Sequence, residues 1–124
     1  MQRAPAAHAR CGQYGSLIRL SRIGLNEVDA RGRGLPVRVA TLPLDEVLRT
    51  HTTGETRGFM KALVHAQRDD ILGFAMFGVD AGEVMAVVQM AMMAGMPFTA
   101  VREAVLTHPT MAEGLGTLFE QVAG

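Results

Sequence analysis

A histidine and a glutamate five positions apart, in His108-Pro109-Thr110-Met111-Ala112-Glu113, are the residues of this chain best suited to chemistry. Proline biases the residue before it toward extended backbone, so the His108 imidazole is predicted on a loop just ahead of a helix, a good place to present a base. Two roles are open to Glu113. With Thr110 it has the T-x-x-E spacing of a capping box, in which the hydroxyl and the carboxylate satisfy free backbone donors of the first helical turn. Turned toward His108, the carboxylate would instead fix one imidazole tautomer, favour the protonated ring and leave the other nitrogen to exchange a proton, which makes an acid/base dyad. The two roles can coexist.

Other reactive side chains point to less. Cys11 is the sole cysteine, so one copy of the chain can form neither an internal disulfide, a CxxC redox pair nor a multi-cysteine zinc site, and a reducing, cytoplasmic setting fits best. A Cys11, His108 and Glu113 nucleophilic triad is possible by residue type, but nothing around Cys11 would activate its thiol. His8, His51 and His65 lack metal-ligand spacing and are expected on loops or facing solvent. Met85, Met90, Met92, Met93 and Met96 carry thioethers that favour Cu(I), yet methionines gathered on an interface helix usually fill apolar gaps, and packing is the preferred reading. Gly32-Arg33-Gly34 is a GxG, but it follows a predicted helix and lacks the remaining glycine spacing of a dinucleotide-binding turn.

The elements that must position these groups follow from local patterns. A short strand is expected over 16–22. Asn26 is placed to cap a helix of about two turns that stops in the RGRG segment before Pro36. The β-branched run from Val37 reads as a strand ending near Pro43, and the next dozen residues, through HTTGET, read as a loop. Residues 58–66 and 71–77 are two apolar runs separated by a polar interval of hairpin length. In the first of them, alternation puts Met60, Ala62 and Val64 on one face, the better core candidate, and Phe59, Lys61, Leu63 and His65 on the other. From Ala81 to Ala94 the pattern becomes helical and is closed by Gly95 and Pro97. That helix is apolar nearly all round, which calls for cover on more than one side and predicts self-association. Thr99 is expected to cap a short helix through Ala104 or Val105, and a last helix to run from about Met111 to Val122. Strands followed by helices make an α+β fold.

Composition bounds the rest. The 124 residues fit one domain, and an apolar fraction of 48% with 19% charged residues is that of a folding chain. Formal net charge is zero, with twelve basic and twelve acidic residues, so no global field favours nucleic acid or anionic lipid. The apolar run from Val84 to Met96 is too short for the ~20 residues that cross a bilayer. Arg3, Arg10, Arg19 and Arg22 all precede the first acidic residue, Glu27. Without an amphipathic repeat, that start reads as a disordered basic tail rather than a transit peptide.

In SRIGLNEVDARGRGLPVRV, GETRGFMKALV, ILGFAMFGVDAGEVMAVVQMAMMAGM and LTHPTMAEGLGTLF the chain resembles the dimerisation domain of the pyridine nucleotide-disulfide oxidoreductases, the family of dihydrolipoamide dehydrogenase, glutathione reductase and mercuric reductase. The resemblance runs from Ser21 to Phe119 in family order. It implies an antiparallel sheet of four to five strands with helices packed against it, a homodimer formed through this domain, and a His108 and Glu113 pair that serves a redox cysteine pair across the subunit boundary. FAD and NAD(P)H belong to the intact enzymes so resembled. Their flavin and nicotinamide domains, with the redox cysteines, have no counterpart here, so this chain alone is expected to bind no cofactor and to be catalytically incomplete. The expected layout is a poorly matched, disordered or non-native leader over 1–20 and the dimerisation domain over 21–124, as in a truncated or frame-disrupted reading of a longer gene. An alternative is that the chain donates its dyad in trans to separately encoded flavoprotein domains; a stand-alone binding protein that reuses the dimer surface is a further one.

Overall fold

In the computed structural model, which describes residues 10–12 and 18–123, the strands form one antiparallel sheet. In chain order they are β1 (Arg10–Gly12), β2 (Ile18–Gly24), β3 (Val37–Pro43), β4 (Phe59–His65) and β5 (Ile71–Val79), and they lie side by side as β1-β2-β5-β4-β3. The β4–β5 hairpin is at its centre, as the two apolar runs predict. The short edge strand β1, which pairs Cys11 with Ser21, is one that sequence periodicity does not foreshadow. Of the leader expected over 1–20, residues 1–9, with His8, and 13–17 lie outside the described residues, as does the Cys11 thiol.

Alternation sorts the central strands as expected on the core face. Met60, Ala62 and Val64 are fully buried, and they meet Phe74 and Met76 of β5 under helices α3 (Ala81–Met93), α4 (Phe98–Glu103) and α5 (Gly114–Ala123). Helix α3 packs over β2 and β5, α5 over β3 and β4, and α4 against α5. Val84 and Val88 of α3 and Leu115, Leu118 and Phe119 of α5 complete this core.

The opposite face differs from its expectation. Leu63 and His65 are buried there, because helix α1 (Glu27–Gly32) and the turn after it bring Ala30, Leu35 and Val37 against Leu63 and Leu72 in a second, smaller cluster. The ladder slips between Leu63↔Gly73 and Val64↔Ile71, leaving Leu72 as an extra residue, so Ile71 joins the main core while Leu72 joins the second cluster. At Gly73 the chain after β2 comes so near that a Cβ would stand 1.9 Å from the Leu25 carbonyl oxygen, so no other residue fits there. Asn26 does cap α1: its side chain accepts from Asp29 N at 2.7 Å while the Asp29 carboxylate accepts from Asn26 N.

Three further expectations are corrected. The dozen residues after Pro43 are not a loop but a 3-10 turn, Leu44–Glu46, followed by helix α2 (Leu48–Thr53). Leu44, Val47 and Thr50 point inward at three-residue spacing, and the buried Thr50 hydroxyl donates to the Leu44 and Val47 carbonyls, so a threonine fills an apolar position. Thr99 does not cap α4, whose N-cap is Pro97. Helix α5 starts at Gly114 rather than near Met111, because residues 110–113 are held in a turn. Helix α3 ends as predicted: Gly95 is left-handed, and Met96 N and Gly95 N close back on Ala91 O and Met92 O ahead of Pro97.

Candidate functional site

The turn between α4 and α5 carries the site, and the packing of α5 positions it. Met111, in the turn before α5, is buried and Leu115, in its first turn, fully so, which pins the segment on both sides of Glu113. Gly114 lets that turn settle on the sheet: a Cβ there would stand 2.8 Å from Val47 Cγ2 and 3.1 Å from Met60 Cε. Around the first anchor, Thr110 and Glu113 make both bonds of the capping box. Glu113 N donates to the Thr110 hydroxyl at 3.3 Å, and Thr110 N donates to Glu113 Oε2 at 2.9 Å.

The same carboxylate also meets His108. The imidazole Nδ1 lies 2.9 Å from Glu113 Oε1 and 3.0 Å from Oε2. An ionised carboxylate only accepts, so Nδ1 carries the proton and donates, and Nε2 is left as the ring's free acceptor. The His108 side chain is 62% exposed and that of Glu113 25%, so the ring is presented outward on a carboxylate that is itself partly sheltered. Chemically this is a base with its tautomer fixed, fit to take a proton at Nε2 and return it.

The His108 hydrogen bond and, after it, the Thr110 amide hold the Glu113 carboxyl below its ordinary value of 4.5. The sign of the pH effect follows. The unfolded chain binds a proton at Glu113 more readily than the folded one, so the stabilisation is present above 4.5 and is lost as pH falls through the lower folded value. In urea unfolding at a series of acidic pH values, the stability gap between the parent chain and Glu113→Gln is expected to narrow below that point. A gap that stays constant into strong acid would show that the carboxylate is not held in this way.

The other singled-out residues are not drawn to this site. His51 is exposed on α2, its Nε2 2.6 Å from the Asp45 carbonyl oxygen. His65, expected to face solvent, is instead buried beside Val37 on the second cluster's side of the sheet, its Nδ1 accepting from Gln67 N at 3.1 Å. Among the described residues, no three or more His, Cys, Asp or Glu side chains gather as a metal site. Met85 is buried and Met92 packs against the core, but Met90, Met93 and Met96 are 64%, 70% and 42% exposed, a ridge that one copy of the chain leaves uncovered. Gly32 ends α1 and Gly34 follows it, so these glycines sit at the helix end that repels phosphate, and they do not fit a dinucleotide cradle. No described helix is long and apolar enough to cross a membrane.

Sequence reasoning overlooked Gly114 and the bond that the Thr110 hydroxyl donates to the Thr107 carbonyl. A glycine next to the T-x-x-E glutamate was the available sign of close packing at the first.

Comparison with known proteins identifies the family of the domain. Residues 16–119 match the family model for the pyridine nucleotide-disulphide oxidoreductase dimerisation domain. The chain is 39% identical over 103 residues to the probable pyridine nucleotide-disulfide oxidoreductase RclA of Escherichia coli, covering 83% of this chain and 23% of that protein. It is 32% identical over 96 residues to a mercuric reductase of Staphylococcus aureus, covering 77% of this chain and 18% of the relative. In solved structures it matches the HOCl-induced flavoprotein disulfide reductase RclA from Escherichia coli with a TM-score of 0.81 at 39% identity, over 83% of this chain and 24% of that one. The chain thus spans about a quarter or less of the length of these relatives.

Proposed function

Since the chain belongs to the pyridine nucleotide-disulphide oxidoreductase family through its dimerisation domain, we propose that it is a homodimerising module that carries the His108 and Glu113 acid/base pair of such an enzyme and is incomplete by itself. The observation that carries this reading is the pair itself: Nδ1 of an exposed imidazole held by both oxygens of a carboxylate that the turn keeps in place. In the proposed chemistry, Nε2 of His108 takes the proton of a thiol in a cysteine pair supplied by another domain, leaving a thiolate, and returns it when the disulfide is reopened. Glu113 holds the tautomer and offsets the charge of the protonated ring. FAD and NAD(P)H are the redox groups of the assembled enzyme in this proposal, and the domains that hold them are supplied from outside the residues described.

The homodimer rests on α3. Its inner side is buried on the sheet, while Met90 and Met93 project outward, an exposed apolar ridge of the kind a second copy covers in a symmetric pair. The purified chain is expected to sediment as a dimer and to show no flavin absorbance band. Met90→Glu with Met93→Glu would set like charges against each other across a two-fold contact, at a cost of several kcal/mol. The double variant should therefore sediment as a folded monomer. A parent chain that is monomeric at all concentrations, or a double variant that stays dimeric, would overturn the use of this face; a flavin band would overturn incompleteness.

One feature favours a second reading, in which the module acts in trans: the His108 ring stands at the surface, where another chain can reach it. Disulfide- or mercuric-reductase activity that appears only on mixing this chain with flavin- and nicotinamide-binding domains would support that reading, and its absence at saturating concentration would remove it.

A further inference from the structure

Thr110 touches the candidate site at three points, and two of them involve its hydroxyl. The hydroxyl donates to the Thr107 carbonyl and accepts from Glu113 N at 3.3 Å. The backbone amide of the same residue donates to Glu113 Oε2 at 2.9 Å, the oxygen that also lies 3.0 Å from His108 Nδ1. One residue thereby ties together the strand of backbone before His108, the start of α5 and the carboxylate between them.

From this geometry we infer that Thr110 is a positioning residue: its hydroxyl clamps the turn over 107–113 so that its own amide aims Glu113 at Nδ1 of His108, and Nε2 stays the free ring nitrogen. The inference rests on reading His108 and Glu113 as an acid/base pair, but what it asserts is a geometry, which can be tested without any turnover.

The physical need for such a clamp is plain from exposure. A carboxylate that is a quarter exposed and an imidazole that is well over half exposed compete with water for every hydrogen bond they make. A carboxylate on a free rotamer would divide its time between the ring, the amide and solvent, and the imidazole would then populate both tautomers. Fixing Oε2 on a backbone amide removes most of that freedom. The amide can serve only if its own peptide is held, and the two hydroxyl bonds hold it on either side, at Thr107 and at Glu113. Burial of Met111 anchors the chain one residue beyond Thr110, and the hydroxyl bonds are what hold the amide of Thr110 itself.

Thr110→Ser keeps the hydroxyl, whereas Thr110→Val keeps the shape and loses it. On the full chain, 15N spectra of the His108 ring report which nitrogen carries the proton, and 13C spectra of Glu113 follow its carboxyl titration. The parent and Thr110→Ser are expected to share one ring pattern, with Nδ1 protonated. Thr110→Val is expected to show a mixture of tautomers, faster exchange of the amide proton at position 110 and a Glu113 titration moved up toward 4.5. Unchanged amide shifts at Val64, Val88 and Leu118 would establish that the core is intact in each variant. A folded Thr110→Val that retains the parent's ring pattern and Glu113 titration would overturn the positioning role. So would Thr110→Ser behaving like Thr110→Val, since the hydroxyl would then not be the operative group. Should the module prove to have no role in redox chemistry, these spectra still decide the inference, so the two failures are distinguishable.

Discussion

Truncating Phe119 to alanine is expected to destabilise the domain by about 3–5 kcal/mol, the usual cost of removing a buried aromatic ring from a core that cannot fully collapse. Phe119 is fully buried, and its ring lies 6.0 Å from that of Phe98 at an interplanar angle of 37°. Phe98 in turn carries the guanidinium groups of Arg38 and Arg102 at 5.4 Å and 5.5 Å, and charged groups are poorly suited to fill the void that the lost ring would leave. Against a total stability of about 5–15 kcal/mol for a domain this size, the loss is a large share. It corresponds to a drop in melting temperature of roughly 12–20 °C at about 4 °C per kcal/mol. Both proteins must be melted at one concentration, because self-association adds to apparent stability. Val105, which is wholly exposed, provides the control, and Val105→Ala should change stability by no more than about 0.5 kcal/mol. A loss at Phe119 below about 1 kcal/mol would mean that α5 is not seated as described.

The consequence reaches the candidate site. Glu113 immediately precedes α5, and α5 is fixed on β3 and β4 chiefly by Leu115, Leu118, Phe119 and Val122. A loosened α5 gives the T-x-x-E turn freedom to swing, so Phe119→Ala should also weaken the contact between His108 and Glu113.

How much of this was legible in the sequence depended on whether a residue's type declared its surroundings. Alternation in β4 declared Met60, Ala62 and Val64 as core, and the Gly95 and Pro97 pair declared the end of α3, because period and backbone geometry are local properties. Helix α2 was hidden because one of its inward positions is Thr50, whose burial is tolerable only through hydroxyl bonds to Leu44 and Val47 that exist once the turn has formed. His65 was misjudged because a slip in the ladder and the cover given by α1 make both faces of the sheet apolar at that end, and neither is a feature of the strand's own sequence. At the site itself, the spacing of Thr110 and Glu113 announced a capping box and the spacing of His108 and Glu113 a dyad. Spacing could not choose between them. The choice proved unnecessary, because a carboxylate has two oxygens and accepts from both partners.

On the proposed acid/base role of His108, replacing it by glutamine is expected to lower the turnover of an assembled enzyme by about 10²–10⁴-fold, the range that a positioned acid/base group contributes. Glutamine keeps a polar side chain of similar reach but cannot carry a proton to or from a thiol, so the substitution removes the chemistry and leaves the turn. His108 is largely exposed and buries no core surface, so folding stability should change by no more than about 0.5 kcal/mol, and the dimer mass should not change at all. The measurement is steady-state disulfide reduction by the chain joined to, or mixed with, flavin- and nicotinamide-binding domains. Glu113→Gln should fall between the parent and His108→Gln, since an amide can still lie beside Nδ1 but neither fixes the tautomer nor offsets the charge of the protonated ring as a carboxylate does. That ordering separates a base and its partner from two residues that merely cap a helix: a capping role predicts that His108→Gln leaves turnover unchanged. If His108→Gln keeps turnover within about threefold of the parent while the dimer stays intact, the proton is carried by another group, and the bonds between His108 and Glu113 serve only to hold the start of α5.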